Sequence, residues 1–127
     1  MLKSLRILIV HDDQTILRVF REMLDEHLVY STQSGEEALA QAEKIPFDLA
    51  FTNHHLEEMN GAELALLLKK ITPHLPVVLL AKDISSEVLE VARKHTAAIL
   101  LAKPFSLTTI KTIVQLLQGE EECQELD

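Results

Sequence analysis

A single α/β domain with a doubly wound, five-stranded parallel sheet is what the sequence predicts. Its 127 residues suit one hydrophobic core. Five short apolar runs recur along the chain, and the segments between them carry helical spacing. Four of the runs are nearly unbroken apolar stretches without in–out alternation, as expected for strands covered on both faces.

The first run is Arg6–Val10, and after it Ile16, Val19, Phe20, Met23 and Leu24 mark one face of a helix. The second run is Leu28–Ser31. Ser34 with Glu37 then gives a capping-box spacing that opens a second helix. The third run, Asp48–Thr52, precedes Asn60, which stands three residues before Glu63 at a similar helix start. Leu64, Leu67, Leu68 and Ile71 form the core-facing stripe of that third helix. The fourth run is Pro76–Ala81 and the fifth Ala97–Leu101; Ser85 and Ser106 cap the helices that follow, and Gly119 ends the last. Right-handed crossovers in a (βα)5 chain favour the strand order 2-1-3-4-5. A functional site then belongs at the carboxyl ends of strands 1 and 3, beside the switch point.

Composition narrows the function classes. Hydrophobic residues make up 47% of the chain and charged ones 25%, a balance that supports a packed core. No apolar run approaches the roughly 18 to 20 residues needed to cross a bilayer, and no secretory signal opens the chain, so a cytoplasmic protein with no membrane association is expected. Cys123 is the only cysteine, which excludes an intramolecular disulfide and a cysteine zinc cluster. The net charge of −8 argues against direct nucleic-acid binding. Glu120, Glu121, Glu122, Glu125 and Asp127 concentrate charge at the end, so residues 1–119 are read as the domain and 120–127 as an acidic, solvated tail, with an acidic docking peptide as the alternative. With three glycines and no phosphate-cradling loop, nucleotide binding is not expected.

Four stretches carry a family resemblance: ILIVHDD at the end of strand 1, SGEEAL opening helix 2, DLAFTNHHLEEMNGAEL through strand 3 and its loop, and AKPF after strand 5. In joint order and spacing, residues 4 to 118 resemble the response-regulator receiver family of two-component signalling, which implies a flavodoxin-like receiver fold. The resemblance also implies a chemistry: a histidine kinase passes a phosphoryl group to an aspartate ending strand 3. Acids after strand 1 hold Mg²⁺, a lysine after strand 5 neutralises the phosphoryl oxygens, and a hydroxyl ending strand 4 binds the product.

The chain departs from that pattern at several positions. Asn53 stands at the phosphoacceptor, and a neutral amide cannot give an acyl phosphate. His11 replaces the first of the paired acids, with Asp12 and Asp13 following it; Ala81 replaces the switch hydroxyl, and Leu100 fills a slot that is often aromatic in the family. Lys103 is retained, followed by Pro104, where the resemblance implies a cis peptide that aims the lysine at the site. Its simplest role here is a charge partner for Asp12. Mg²⁺ wants several hard oxygen ligands, so this pocket is expected to hold it weakly or not at all, and no cofactor is expected.

The expected function is therefore an atypical, non-enzymatic receiver that works by phosphorylation-independent protein–protein interaction, through the face formed by helix 4, strand 5 and helix 5. Homodimerisation through the fourth and fifth helices is a habit of the family. His11 and His55 with Asp12 compose an alternative, a site for a transition metal such as Zn²⁺, Ni²⁺ or Cu²⁺ that would make the receiver a metal-binding regulator. A second alternative is a phosphorelay receiver that redirects transfer to Asp12 or Asp13, which flank the in-line position. A flavodoxin-like cofactor protein is a third, weakened by one tyrosine and no tryptophan for stacking an isoalloxazine. His27, His74 and His95 lie near expected helix ends, where their role is electrostatic. Met59 is expected to anchor a loop.

Overall fold

The computed structural model describes residues 4–81, 99–102 and 108–116. Its elements run β1 (Arg6–Val10), α1 (Gln14–Met23), β2 (Leu28–Thr32), α2 (Gly35–Lys44), β3 (Leu49–Asn53), α3 (Gly61–Ile71), β4 (Val77–Ala81) and β5 (Ile99–Ala102). A C-terminal helical stretch occupies 108–116. All strand pairs are parallel, and the order is β2-β1-β3-β4-β5, as expected. The expected fourth helix, the caps at Ser85 and Ser106, Lys103, Gly119 and the tail at 120–127 lie outside the described residues, as does the side chain of Leu100.

Two apolar layers sandwich the sheet. On one face Leu17, Phe20 and Leu24 of α1 and its end meet Ile7, Ile9 and Phe51, together with Ile110 and Val114 from 108–116. The Phe20 and Phe51 rings lie 5.2 Å apart in a tilted arrangement. On the other face Ala38 and Ala42 of α2 and Leu64, Ala65 and Leu68 of α3 pack on Leu8, Val10, Ala50 and Val77. Every residue of β3 and β4 is buried, which is why those runs lack alternation.

Two helix faces differ from expectation. In α1 the buried positions are Leu17 and Phe20, continued by Leu24, while Val19 is 36% exposed. Leu17 lies three and seven residues before Phe20 and Leu24, on one line of the helix, and Val19 falls two residues round from it. In α3 the small residues Ala62 and Ala65 are buried beside Leu64 and Leu68, and Ile71 at the last turn is exposed. Alanine lets the helix axis approach the sheet closely and so claims the inner face from a larger residue.

Strand ends moved by about one residue. β3 runs one residue further than expected, so Asn53 is its last member, paired with Leu80 of β4. β4 starts at Val77 because Pro76 has no N–H to give, although its carbonyl still accepts the Ala50 N–H at 3.0 Å.

Candidate functional site at the ends of β1 and β3

Strand order sets the place. From β1 the chain crosses toward β2, and from β3 it crosses toward β4, so the loops leaving these adjacent strands diverge and open a crevice. His11, Asp12 and Asp13 follow β1, and Asn53, His54 and His55 end and follow β3. The expected site residues that the structure describes thus meet at one rim, with Ala81 ending the neighbouring strand β4.

Asn53 is 5% exposed and ties the two loops together. Its Nδ2 donates to Asp12 Oδ1 at 3.2 Å and to the His55 carbonyl at 2.7 Å. Both neighbours are pure acceptors, which fixes the amide orientation: the nitrogen, not the oxygen, faces them. An aspartate could supply neither bond and would set a second carboxylate against Asp12.

The loop after β3 is closely fitted. The His54 N–H donates to the Leu80 carbonyl and the Gly61 N–H to the His54 carbonyl, each at 2.7 Å, and His55 pairs with Asn60 across a short antiparallel bridge. Gly61 is required here by space, since a Cβ would come within 2.4 Å of the Asn53 carbonyl oxygen. Glu58 reaches across to α2, where its Oε1 accepts the Gly35 N–H at 2.6 Å beside the Ser34 cap. Met59 packs against the α2–α3 side of the core and against Gly35, so it anchors the loop.

Asp13 has a role that the motif did not suggest. Its carboxylate caps α1, with Oδ1 accepting the Thr15 N–H at 2.8 Å. His11 is buried, and its Nδ1 accepts the Asp13 N–H at 3.0 Å while lying 3.1 Å from Asp12 Oδ1. Nδ1 cannot serve both neighbours at once: without a proton it accepts from Asp13, and with one, in the Nδ1–H tautomer or the imidazolium, it donates to Asp12.

The proposed metal set of His11, Asp12 and His55 is not assembled. Among the described residues no three His, Cys, Asp or Glu side chains are placed to hold a metal ion. His11 and Asp12 meet, but the His55 ring is exposed and lies 4.9 Å edge-on from the ring of His54. Nor does the described donor set fit Mg²⁺: Asp12 offers a carboxylate, Asp13 is engaged as a cap, and Asn53 turns N–H groups, not an oxygen, toward Asp12 and the His55 carbonyl. His27, expected to act only near a helix end, accepts the Leu5 N–H on its Nδ1 at 3.0 Å and so supports the start of β1. His74 is exposed just after α3, and His95 lies outside the described residues.

Sequence and structure comparisons agree with this geometry. Residues 7–115 match the response regulator receiver domain. A response regulator receiver protein of Anaeromyxobacter sp. (strain Fw109-5) is 32% identical over 109 residues, covering 83% of this chain and 45% of that one. The two-component response regulator ORR24 of Oryza sativa subsp. indica is 29% identical over 124 residues, 94% of this chain and 20% of that one. The chain therefore spans less than half the length of these relatives. Among solved structures, a CheY-like receiver domain protein from Methanospirillum hungatei JF-1 superposes with a TM-score of 0.87 at 26% identity, covering 96% of this chain and 99% of that one. CheY4 of Vibrio cholerae superposes with a TM-score of 0.83 at 24% identity over 91% of this chain and 99% of its own, which speaks to fold alone. No described helix is long and apolar enough to cross a membrane. The sheet order, the crevice between the loops after β1 and β3, and the match over residues 7–115 together place this chain in the response regulator receiver domain family.

Proposed function

We propose that this receiver acts in two-component-type signalling as a phosphorylation-independent interaction module, a pseudo-receiver held in one conformation. The observation that carries the reading is the pair of hydrogen bonds donated by Asn53: a side chain that would have to be a free carboxylate to accept phosphate instead donates to Asp12 and to the His55 backbone. The loops after β1 and β3 are thereby joined by a neutral link, and no charge change is available at that atom to separate them. Weak or absent Mg²⁺ affinity follows, because the amide turns N–H groups, not an oxygen, toward Asp12. Transfer to Asp13 finds no support, since its carboxylate is committed to α1.

On this reading the module meets its protein partner in the cytoplasm through the face of the fourth helix, β5 and the last helix. The test exposes the intact chain to Mg²⁺ with acetyl phosphate and, separately, with beryllofluoride. An unchanged intact mass and unmoved amide resonances around Asn53 are expected. A covalent phosphoryl adduct, or saturable shifts at the ends of β1 and β3, would overturn the proposal.

A further inference from the structure

A second concavity lies away from the Asn53 crevice, between α1 and the outer edge of the sheet. It has a volume of about 310 Å³ and a predominantly polar wall, with Arg18 and Arg21 from α1, Ser31 and Gln33 from β2 and the residue after it, and Glu37 from α2. In a chain of net charge −8, two exposed guanidiniums one helical turn apart in one cleft make a local positive site that favours an anionic partner. Among the described residues neither makes an ion pair, and Glu37 is the one carboxylate that lines the cleft. Among these residues the one side-chain bond either makes is a long contact of 3.5 Å from Arg21 Nη1 to the Ser31 hydroxyl, which holds that guanidinium over the strand.

The same cleft borders an open strand edge. β2 is terminal in the sheet. The Leu28 N–H donates to the Leu5 carbonyl at 2.9 Å and the Thr32 carbonyl accepts from His11 at 3.1 Å, so the even-numbered residues of β2 turn their polar groups toward β1. By alternation the N–H and C=O groups of Val29 and Ser31 point outward. Among the described residues, the outward main-chain groups of Val29 and Ser31 have no strand partner, and two guanidiniums without an ion pair stand beside them.

We propose that the cleft between α1 and the outer edge of β2 docks an extended acidic peptide segment of a partner protein, which adds as a strand beside β2 and sets carboxylates against Arg18 and Arg21. Main-chain hydrogen bonds to Val29 and Ser31 supply affinity, and the guanidiniums select the charge. Glu37, which also lines the cleft, disfavours a compact, multiply charged anion such as phosphate over single carboxylates spaced along a backbone.

The test titrates the ¹⁵N-labelled full chain with an N-acetylated, C-amidated peptide Thr-Val-Glu-Val-Glu-Thr. It runs the Lys-for-Glu peptide, a backbone N-methylated copy and inorganic phosphate in parallel. Expected are saturable shifts at Val29, Ser31 and the Arg18 and Arg21 side chains, slowed exchange of the Val29 and Ser31 amides, and at least tenfold weaker binding to the Arg18→Ala, Arg21→Ala double variant. Both arginines are exposed and alanine favours helix, so that variant keeps its fold, checked by circular dichroism. Equal binding of the N-methylated or lysine peptide, phosphate reproducing the shifts and displacing the peptide, or no binding at millimolar peptide would each overturn the proposal.

Discussion

At the scale of single residues, the difference between an amide and a carboxylate at position 53 decides what the site does. Asn53→Asp removes two donated bonds and places a negative charge near Asp12, whose Oδ1 is 3.2 Å from the present amide nitrogen. Lost hydrogen bonds and like-charge contact at a buried position predict a destabilisation of about 1 to 3 kcal/mol in the absence of divalent cations. The variant exchanges the amide nitrogen for a second oxygen and a negative charge that suit a hard ion, so millimolar Mg²⁺ is expected to raise its unfolding midpoint while leaving the parent chain unmoved. Urea titrations of both proteins with and without Mg²⁺ check this; a parent chain stabilised by Mg²⁺ to the same extent contradicts it. The identities of His11 and Asn53 were legible in the sequence because each is a residue type incompatible with the chemistry of its motif position. The donor link from Asn53 to the His55 carbonyl was not legible, since it depends on how the loop after β3 turns its backbone.

Among the elements, α1 shows how one residue type can serve two masters. A carboxylate next to Asp12 reads equally as a metal ligand or a helix cap, and only backbone geometry separates the readings; here Asp13 is extended at φ −95 and ψ 114 and caps. Asp13→Ala is expected to cost about 1 kcal/mol, whereas Asp13→Asn, which keeps the accepting oxygen, is expected to cost little. Thermal unfolding of the two variants distinguishes the roles: equal losses would mean that charge rather than capping matters. Ser34 and Asn60 were readable as caps from their spacing to Glu37 and Glu63, and both accept those N–H groups, at 3.1 and 2.8 Å. The inner faces of α1 and α3 were less readable. Large apolar residues drew attention to Val19 and Ile71, while the alanines that let α3 approach the sheet carry a weak hydrophobic signal.

Over the whole molecule, strand order distributes stability unequally. β1 and β3 have strand neighbours on both sides and apolar layers above and below, while β2 has one neighbour and a burial pattern of one buried residue, three intermediate and one exposed. That order was legible because the apolar runs alternate with helical segments and right-handed crossovers leave few topologies. Amides of Leu8, Ile9, Ala50 and Phe51 can exchange only when the sheet comes apart, so their exchange rates should converge on the free energy of global unfolding. Within β2 the pattern should alternate: Tyr30 and Thr32, turned toward β1, exchange slowly, and Val29 and Ser31, turned outward, exchange fast. Hydrogen exchange followed by NMR on the isolated chain measures this directly. Uniform slow exchange along β2 would mean that its edge is already covered in solution, by self-association or by another part of the chain. It would remove the open edge on which strand addition depends, without touching the role assigned to Asn53.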